Sequence, residues 1–242
     1  MIKFFRKIRQ QMLSENKFTK YLIYALGEIV LVVIGILIAL QINNWNENRK
    51  LVNQELALLT EVKSALENDL NDVNSNLERE KGRFNSMNLI IDWIESELPY
   101  HDSLSMHFSN ISYGTFFNDN ESAYLALKQI GLQIVSNDSL RNKLSELYDL
   151  EYELYDKHDK EGSEAKDAMN ALSAKYLNEI AFFGTKMRPV DIAGLRADNE
   201  YKFYLKSLRN FIEVRVNMFI PTTIDKISTT IKMLEDELET RK

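Results

Sequence analysis

Residues 59–98 read LTEVKSALENDLNDVNSNLEREKGRFNSMNLIIDWIESEL, and this stretch decides the fold class. Leu59, Leu66, Val73, Met87 and Ile94 stand in one row with sevenfold spacing; Leu70, Leu77, Phe84, Ile91 and Leu98 stand in a second. Apolar residues alternating in steps of three and four share one face of a helix, so this pattern predicts a long helix packed along a seam. Glu80 interrupts the first row and Lys63 the second. Pro99, which has no amide hydrogen to donate, is expected to end the helix. The seam can face a second chain or later helices of the same chain. We expect the latter, because the later segments need a surface to cover.

Working toward the N-terminus, residues 43–50 hold neither Pro nor Gly, so the helix can continue back into LIYALGEIVLVVIGILIALQI, residues 22–42. About 20 apolar residues at 1.5 Å each cross a hydrocarbon core of about 30 Å. Tyr21 and Tyr24 at one end and Trp45 at the other have the placement of interfacial anchors. Lys3, Arg6, Lys7, Arg9, Lys17 and Lys20 precede the stretch, opposed only by Glu15, while Arg49 and Lys50 follow it. The positive-inside rule then puts the N-terminus in the cytoplasm and the remainder outside. A cleaved signal peptide fits less well, because the apolar run is too long and no small-residue pair follows Leu40. Ile2, Phe5, Ile8 and Met12 recur helically among the leader's basic residues, as in a helix lying on the inner leaflet; a leader that only sets topology is the plainer reading.

Glu28 lies within the apolar run and shares a helical face with Gly35 and Ala39. Gly35-x-x-x-Ala39 is a small-xxx-small pair of the kind that lets two helices approach closely. An acid there has three readings: it snorkels to the inner headgroups, joins a helix–helix contact, or carries a proton in an ion-driven complex.

The leader MIKFFRKIRQQMLSENKF, with KYLIYALGEIVLVVIGILIALQINNWNENRK, closely resembles the start of a large uncharacterised family of bacterial membrane proteins. These abound in the Bacteroidota and carry only a domain-of-unknown-function label. AYLALKQIGLQIVSNDSLRNKLSELYD, residues 123–149, is similar to a second typical segment of that family. The resemblance implies a single-pass anchored protein with a helical exterior in the bacterial inner membrane. It implies no activity and no assigned residues.

Working toward the C-terminus, residues 99–118 read as a loop with one turn of helix. A helix follows near 121–135, capped by Asn118 or Asn120, with Tyr124, Leu127, Ile130 and Ile134 on one face. Residues 139–183 carry apolar positions at helical spacing, weakened in the middle at Gly162. A second loop spans 184–198, and 199–239 read as a helical pair or one helix kinked at Pro221. The expected architecture is all-α: an amphipathic leader (1–20), a transmembrane helix (21–45) continuing into a long helix, and an elongated antiparallel bundle within an extracytoplasmic domain (46–242).

The whole chain carries -6, and residues 29–242 alone carry -10, which argues against nucleic-acid binding. There are no cysteines, so disulfides, thiolate metal sites and cysteine nucleophiles are excluded. Tyr100-His101-Asp102 with His107 is the one local cluster with metal-ligand residue types, and its spacing is weak. His158 reads as solvated. Tyr148, Tyr152 and Tyr155 share a helical face and read as core or interface rather than a ligand slot. Phe116-Phe117 and Phe182-Phe183 sit in or beside loops and read as covers for a bundle end. The charges on the helices read as a solvated face. No nucleophile elbow, phosphate loop or dinucleotide fingerprint occurs. These observations point to a non-enzymatic, membrane-anchored interaction or scaffold module without a cofactor. Its partners would be the lipid bilayer and either its own copies or another membrane protein. A small-molecule sensor signalling through a partner is the alternative.

Overall fold

A computed structural model describes residues 18–180 and 186–241. The leader, the side chain of Tyr21 and the pair Phe182-Phe183 lie outside the described residues. The protein is all-helical there: no strand occurs among the described residues, only an isolated bridge between Leu177 and Pro189. The elements are α1 (Phe18–Glu95), α2 (Leu104–Ile111), α3 (Ser122–Ile130), α4 (Asp138–Glu146), α5 (Tyr152–Ser173), α6 (Ile192–Ala197), α7 (Asn199–Val214) and α8 (Ile220–Thr240). π-helical turns at Leu147–Glu151 and Arg215–Phe219 join α4 to α5 and α7 to α8.

The chain divides into two compact units, residues 1–54 and 55–242. In the first, Leu, Ile and Val side chains from Leu22 to Ile42 are exposed on every face of α1. By length and composition this is a helix apolar enough to cross a membrane.

The second unit has two apolar cores. One gathers Leu59, Leu66 and Val73 of α1 with Tyr124, Leu127, Leu140, Leu144, Tyr152, Ile220 and Leu234. The other gathers Met87, Ile90 and Ile94 of α1 with Phe108, Met169, Leu195, Tyr201, Leu205 and Ile212. The predicted row Leu59, Leu66, Val73, Met87, Ile94 is buried throughout, and Glu80, which interrupts it, is buried as well. The row beside it differs from the expected one. Ile91 is buried, but Leu70, Leu77 and Phe84 are only half-buried, and Leu98 is 65% exposed beyond the end of α1. The fully buried neighbouring row is Glu55, Val62, Asp69, Asn76, Arg83 and Ile90.

Helix ends follow local chemistry. The last carbonyls of α1 are met by Arg196, whose Nη2 donates to Trp93 O at 3.2 Å while its guanidinium lies 4.6 Å from the Trp93 ring centroid. α1 thus ends at Glu95, before Pro99 is reached. The loop predicted over 99–118 holds two turns of helix in α2 rather than one. The Asn137 side chain accepts from Leu140 N at 3.1 Å and caps α4. Gly131, with φ 108°, ends α3 in a conformation open to glycine. Gly162 does not interrupt α5. A β-carbon there would come within 2.9 Å of the Phe211 ring, so glycine permits the close approach of α5 and α7. Pro221 cannot donate to the Asn217 carbonyl and its ring crowds that oxygen, which accounts for the widened turn at Arg215–Phe219.

Candidate functional site: a buried charge cluster between two cores

The polar row of α1, with Asp72, Glu80 and Ser86 beside it, holds the following chain like the rungs of a ladder. Ser86 Oγ accepts from Asn110 Nδ2 at 3.1 Å and contacts His107 Nδ1 at 3.0 Å. Arg83 Nη2 donates to Ile111 O at 3.5 Å, and Glu80 accepts from the Thr115 hydroxyl at 2.7 Å. Asn76 donates to Phe116 O at 2.9 Å. Asp72 accepts from Asn118 N at 3.1 Å, and Asp69 from Asn120 N at 3.0 Å. Glu55 ends the ladder, accepting from Ser136 N at 2.8 Å and pairing with Arg241 at 2.8 Å. Numbers fall along α1 as they rise along the chain it holds. An extended segment has backbone amides with no helical partner, and these carboxylates satisfy them.

Midway along the ladder a second ion pair closes against the first. Glu80 takes both short bonds from Arg83 Nη1, at 3.0 and 2.9 Å. Asp159 of α5 takes Arg215 Nη2 at 2.6 Å through one oxygen and Phe117 N at 2.9 Å through the other. The Arg215 guanidinium lies 5.4 Å from the Tyr155 ring centroid and 5.9 Å from that of Phe211. All four charged residues are buried. On each helix they fall between residues of the two apolar cores: Glu80 and Arg83 between Val73 and Met87, Asp159 between Tyr155 and Met169, Arg215 between Ile212 and Ile220.

Burial pushes the Asp159 carboxyl above its ordinary value, and the Arg215 charge with the Phe117 amide only partly offsets this. Asp69, toward the first core, is pushed up to about 6, chiefly by burial, against the bonds from Tyr152 and Asn120. At Glu55 burial acts upward too, but the Arg241 guanidinium and the Ser136 donors outweigh it and hold the carboxyl low. Arg83, Arg215, Glu80, Thr115, Asp159 and Lys166 line a small void of about 10 Å3. Arg83 Nε and Arg215 Nε and Nη1 are buried without an acceptor among the described residues.

The sites read from sequence fall elsewhere or stay apart. Glu28 is half-buried on α1, Ala39 is exposed, and a β-carbon added at Gly35 would meet no atom within 4 Å. Tyr24 is half-buried and Trp45 is 65% exposed. His101 bonds to Ser103 and His107 to Ser86, so the local histidine cluster is divided between two partners. No group of three His, Asp or Glu side chains suited to a metal occurs among the described residues. Tyr148, Tyr152 and Tyr155 are core: Tyr148 stacks on Tyr124 at 4.4 Å, and the Tyr152 hydroxyl donates to Asp69 at 2.8 Å. His158 is not fully solvated, because its ring packs 4.1 Å from that of Phe219.

Residues 28–183 match a family of unknown function, DUF6090. The chain belongs to that family. The matched stretch contains Glu80, Arg83, Thr115 and Asp159, whereas Arg215 comes from α7 and its π turn, beyond it. No curated protein and no solved structure matches this DUF6090 member.

Proposed function

We propose that this DUF6090 protein is a membrane-anchored, non-enzymatic interaction or scaffold module of the bacterial inner membrane. Residues 21–45 span the bilayer, the leader lies in the cytoplasm, and the helical unit stands in the periplasm as an elongated bundle. The observation that carries the reading is the reversal along α1. Leu, Ile and Val are about half or more exposed from Leu22 to Ile42, whereas Leu59, Val62, Leu66, Val73, Ile90 and Ile94 of the same helix are buried. A sleeve of apolar side chains around a whole helix is stable where the solvent is lipid. The basic leader sets the direction of insertion, and the small-residue face at Gly35 and Ala39, with Glu28, is the expected contact between spans. The buried carboxylates of the helical unit are engaged with its own backbone amides and arginines, which supports a binding rather than a catalytic role.

A reporter active only in the periplasm decides the topology. Fused after Lys242 it is expected to work, and fused ahead of Met1 it is expected to be silent. The opposite pair of results overturns the reading. A second reading, a sensor of a small ligand, is favoured by the buried N–H groups of Arg83 and Arg215 that have no acceptor among the described residues.

A further inference from the structure

We propose that the void between Arg83 and Arg215 is a binding site for one small monovalent anion of halide size, chloride being the simplest case. This goes beyond the anchored-module reading and does not depend on it.

The case rests on a count of donors and acceptors. The carboxylates of the cluster are all partnered: Glu80 by Arg83 and Thr115, Asp159 by Arg215 and Phe117 N. The donors are not. Arg83 Nε and Arg215 Nε and Nη1 have no acceptor among the described residues, although Arg83 is 8% and Arg215 3% exposed. A buried N–H of a charged group without a partner is costly, so three of them, on two side chains that line one void, call for an acceptor there. Guanidinium groups stay charged at any physiological pH and keep all their N–H groups as donors.

Size and charge narrow the occupant. The void of about 10 Å3 has room for one particle of about the size of a water, not for an organic molecule. The ion pairs Glu80–Arg83 and Asp159–Arg215 balance, and Lys166 at the edge adds a third cation. Its Nζ also contacts Asp167 at 3.2 Å, but the Asp167 side chain is 68% exposed and screened by solvent, so it offsets the Lys166 charge only in part. A water molecule can accept only two N–H bonds, one fewer than the three donors present, and it carries no charge. An anion brings acceptor capacity alone. The location gives such an ion leverage, since Glu80 and Arg83 hold the chain at Thr115 and Ile111, and Asp159 and Arg215 join α5 to the π turn before α8.

The test uses the full-length protein in nonionic micelles, melted with helix content as the readout. Sodium gluconate is replaced by sodium chloride at constant ionic strength. Tm is expected to rise saturably, by roughly 3–6 °C at ten times the Kd, and bromide is expected to substitute. Arg215→Lys keeps a cation beside Asp159 but removes Nε and Nη1. It is expected to fold to the same helix content and to lose most of the shift. Equal Tm in chloride and gluconate, meaning a bound water only, overturns the proposal, as does a full shift in Arg215→Lys. Should that variant fail to fold, chlorine NMR on the wild type decides: line broadening beyond that of empty micelles, displaced by bromide, is expected, and its absence overturns the site.

Discussion

Two rows of α1 run side by side into the same interior, and they are built on opposite principles. The row Leu59, Leu66, Val73, Met87, Ile94 fills the two cores and gains from removal of apolar area from water, of order 1.5–3 kcal/mol for a buried side chain. The row Glu55, Val62, Asp69, Asn76, Arg83, Ile90 is two-thirds polar, equally buried, and gives directional bonds to chosen atoms of the chain between Ile111 and Ser136. The apolar row can pack against any surface of suitable shape. The polar row accepts one register only, because a slip of one residue along the extended segment would leave several buried carboxylates facing carbonyl oxygens. The first row supplies cohesion and the second supplies address.

The sharpest way to break this contrast is to remove Arg83. Arg83→Ala leaves Glu80 charged and buried, with only the Thr115 hydroxyl, and is expected to cost roughly 3–5 kcal/mol. Leu66→Ala, in the neighbouring row, is expected to cost roughly 2–5 kcal/mol through lost transfer energy and a cavity. The two differ in how they can be repaired. Adding Glu80→Gln to Arg83→Ala removes the stranded charge while keeping an acceptor for Thr115, and more than half the loss is expected to return in a double-mutant cycle followed by urea unfolding. A cost for Arg83→Ala no larger than that of a surface substitution would mean that the polar row is dispensable.

The same contrast explains what the sequence made legible. The apolar row was visible because Leu, Val, Met and Ile at sevenfold spacing have no reading other than a seam. Its neighbour was sought four residues on, at Leu70, Leu77 and Phe84, where hydrophobicity continued. The deeper row lies three residues on, and there Asp69, Asn76 and Arg83 look like solvent-facing residues. Nothing local distinguishes a buried Asp from an exposed one. The signal is its partner, and for Asp69 the partners are Asn120, 51 residues away, and Tyr152, 83 residues away. The charge cluster is hidden for the same reason: Glu80 reads as a break in the heptads, and Asp159 and Arg215 read as charges on a solvated face. The exposed apolar stretch of helix at residues 22–42 is legible because length and hydropathy are local properties.

A gentler probe of the polar row is pH. The Asp69 carboxyl is pushed up to about 6 in the folded protein, first by burial and also by Asp119 and Asp72, from an ordinary 3.8. Between those values the folded state binds more protons at this site than the unfolded state, so the contribution of Asp69 to stability falls as pH rises from about 4 to about 6 and stays low above that. Asp69→Asn keeps an oxygen for Asn120 N and places an amide beside the Tyr152 hydroxyl, which can turn to accept from it. The difference in urea midpoint between Asp69→Asn and wild type is expected to shift in favour of the variant as pH rises from 4 to 7. A difference that does not change with pH would show that Asp69 titrates in the folded protein as it does in the open chain.

The smallest effect is expected one helical face away, and it separates charge from burial. Lys63 follows Val62 of the polar row but points outward, its side chain 27% exposed, pairing with Glu67 at 3.3 Å and Glu235 at 3.0 Å. It is a cation with two carboxylate partners, whereas Arg83 has one, so a count of ion pairs would rank it the more important. Solvent screening reverses that ranking. An exposed pair gains little Coulomb energy, loses side-chain entropy and is weakened by salt, while the lysine leaves no buried charge behind when it is removed. Lys63→Ala is therefore expected to leave the urea midpoint within error of wild type at moderate salt, with any loss seen at low ionic strength disappearing as salt is added. A loss comparable to that of Arg83→Ala, and insensitive to salt, would mean that the Glu235 contact holds α8 to α1 as firmly as the buried rungs hold the chain at Thr115 and Asn120. The division between the two rows and the solvent face of α1 would then be drawn in the wrong place.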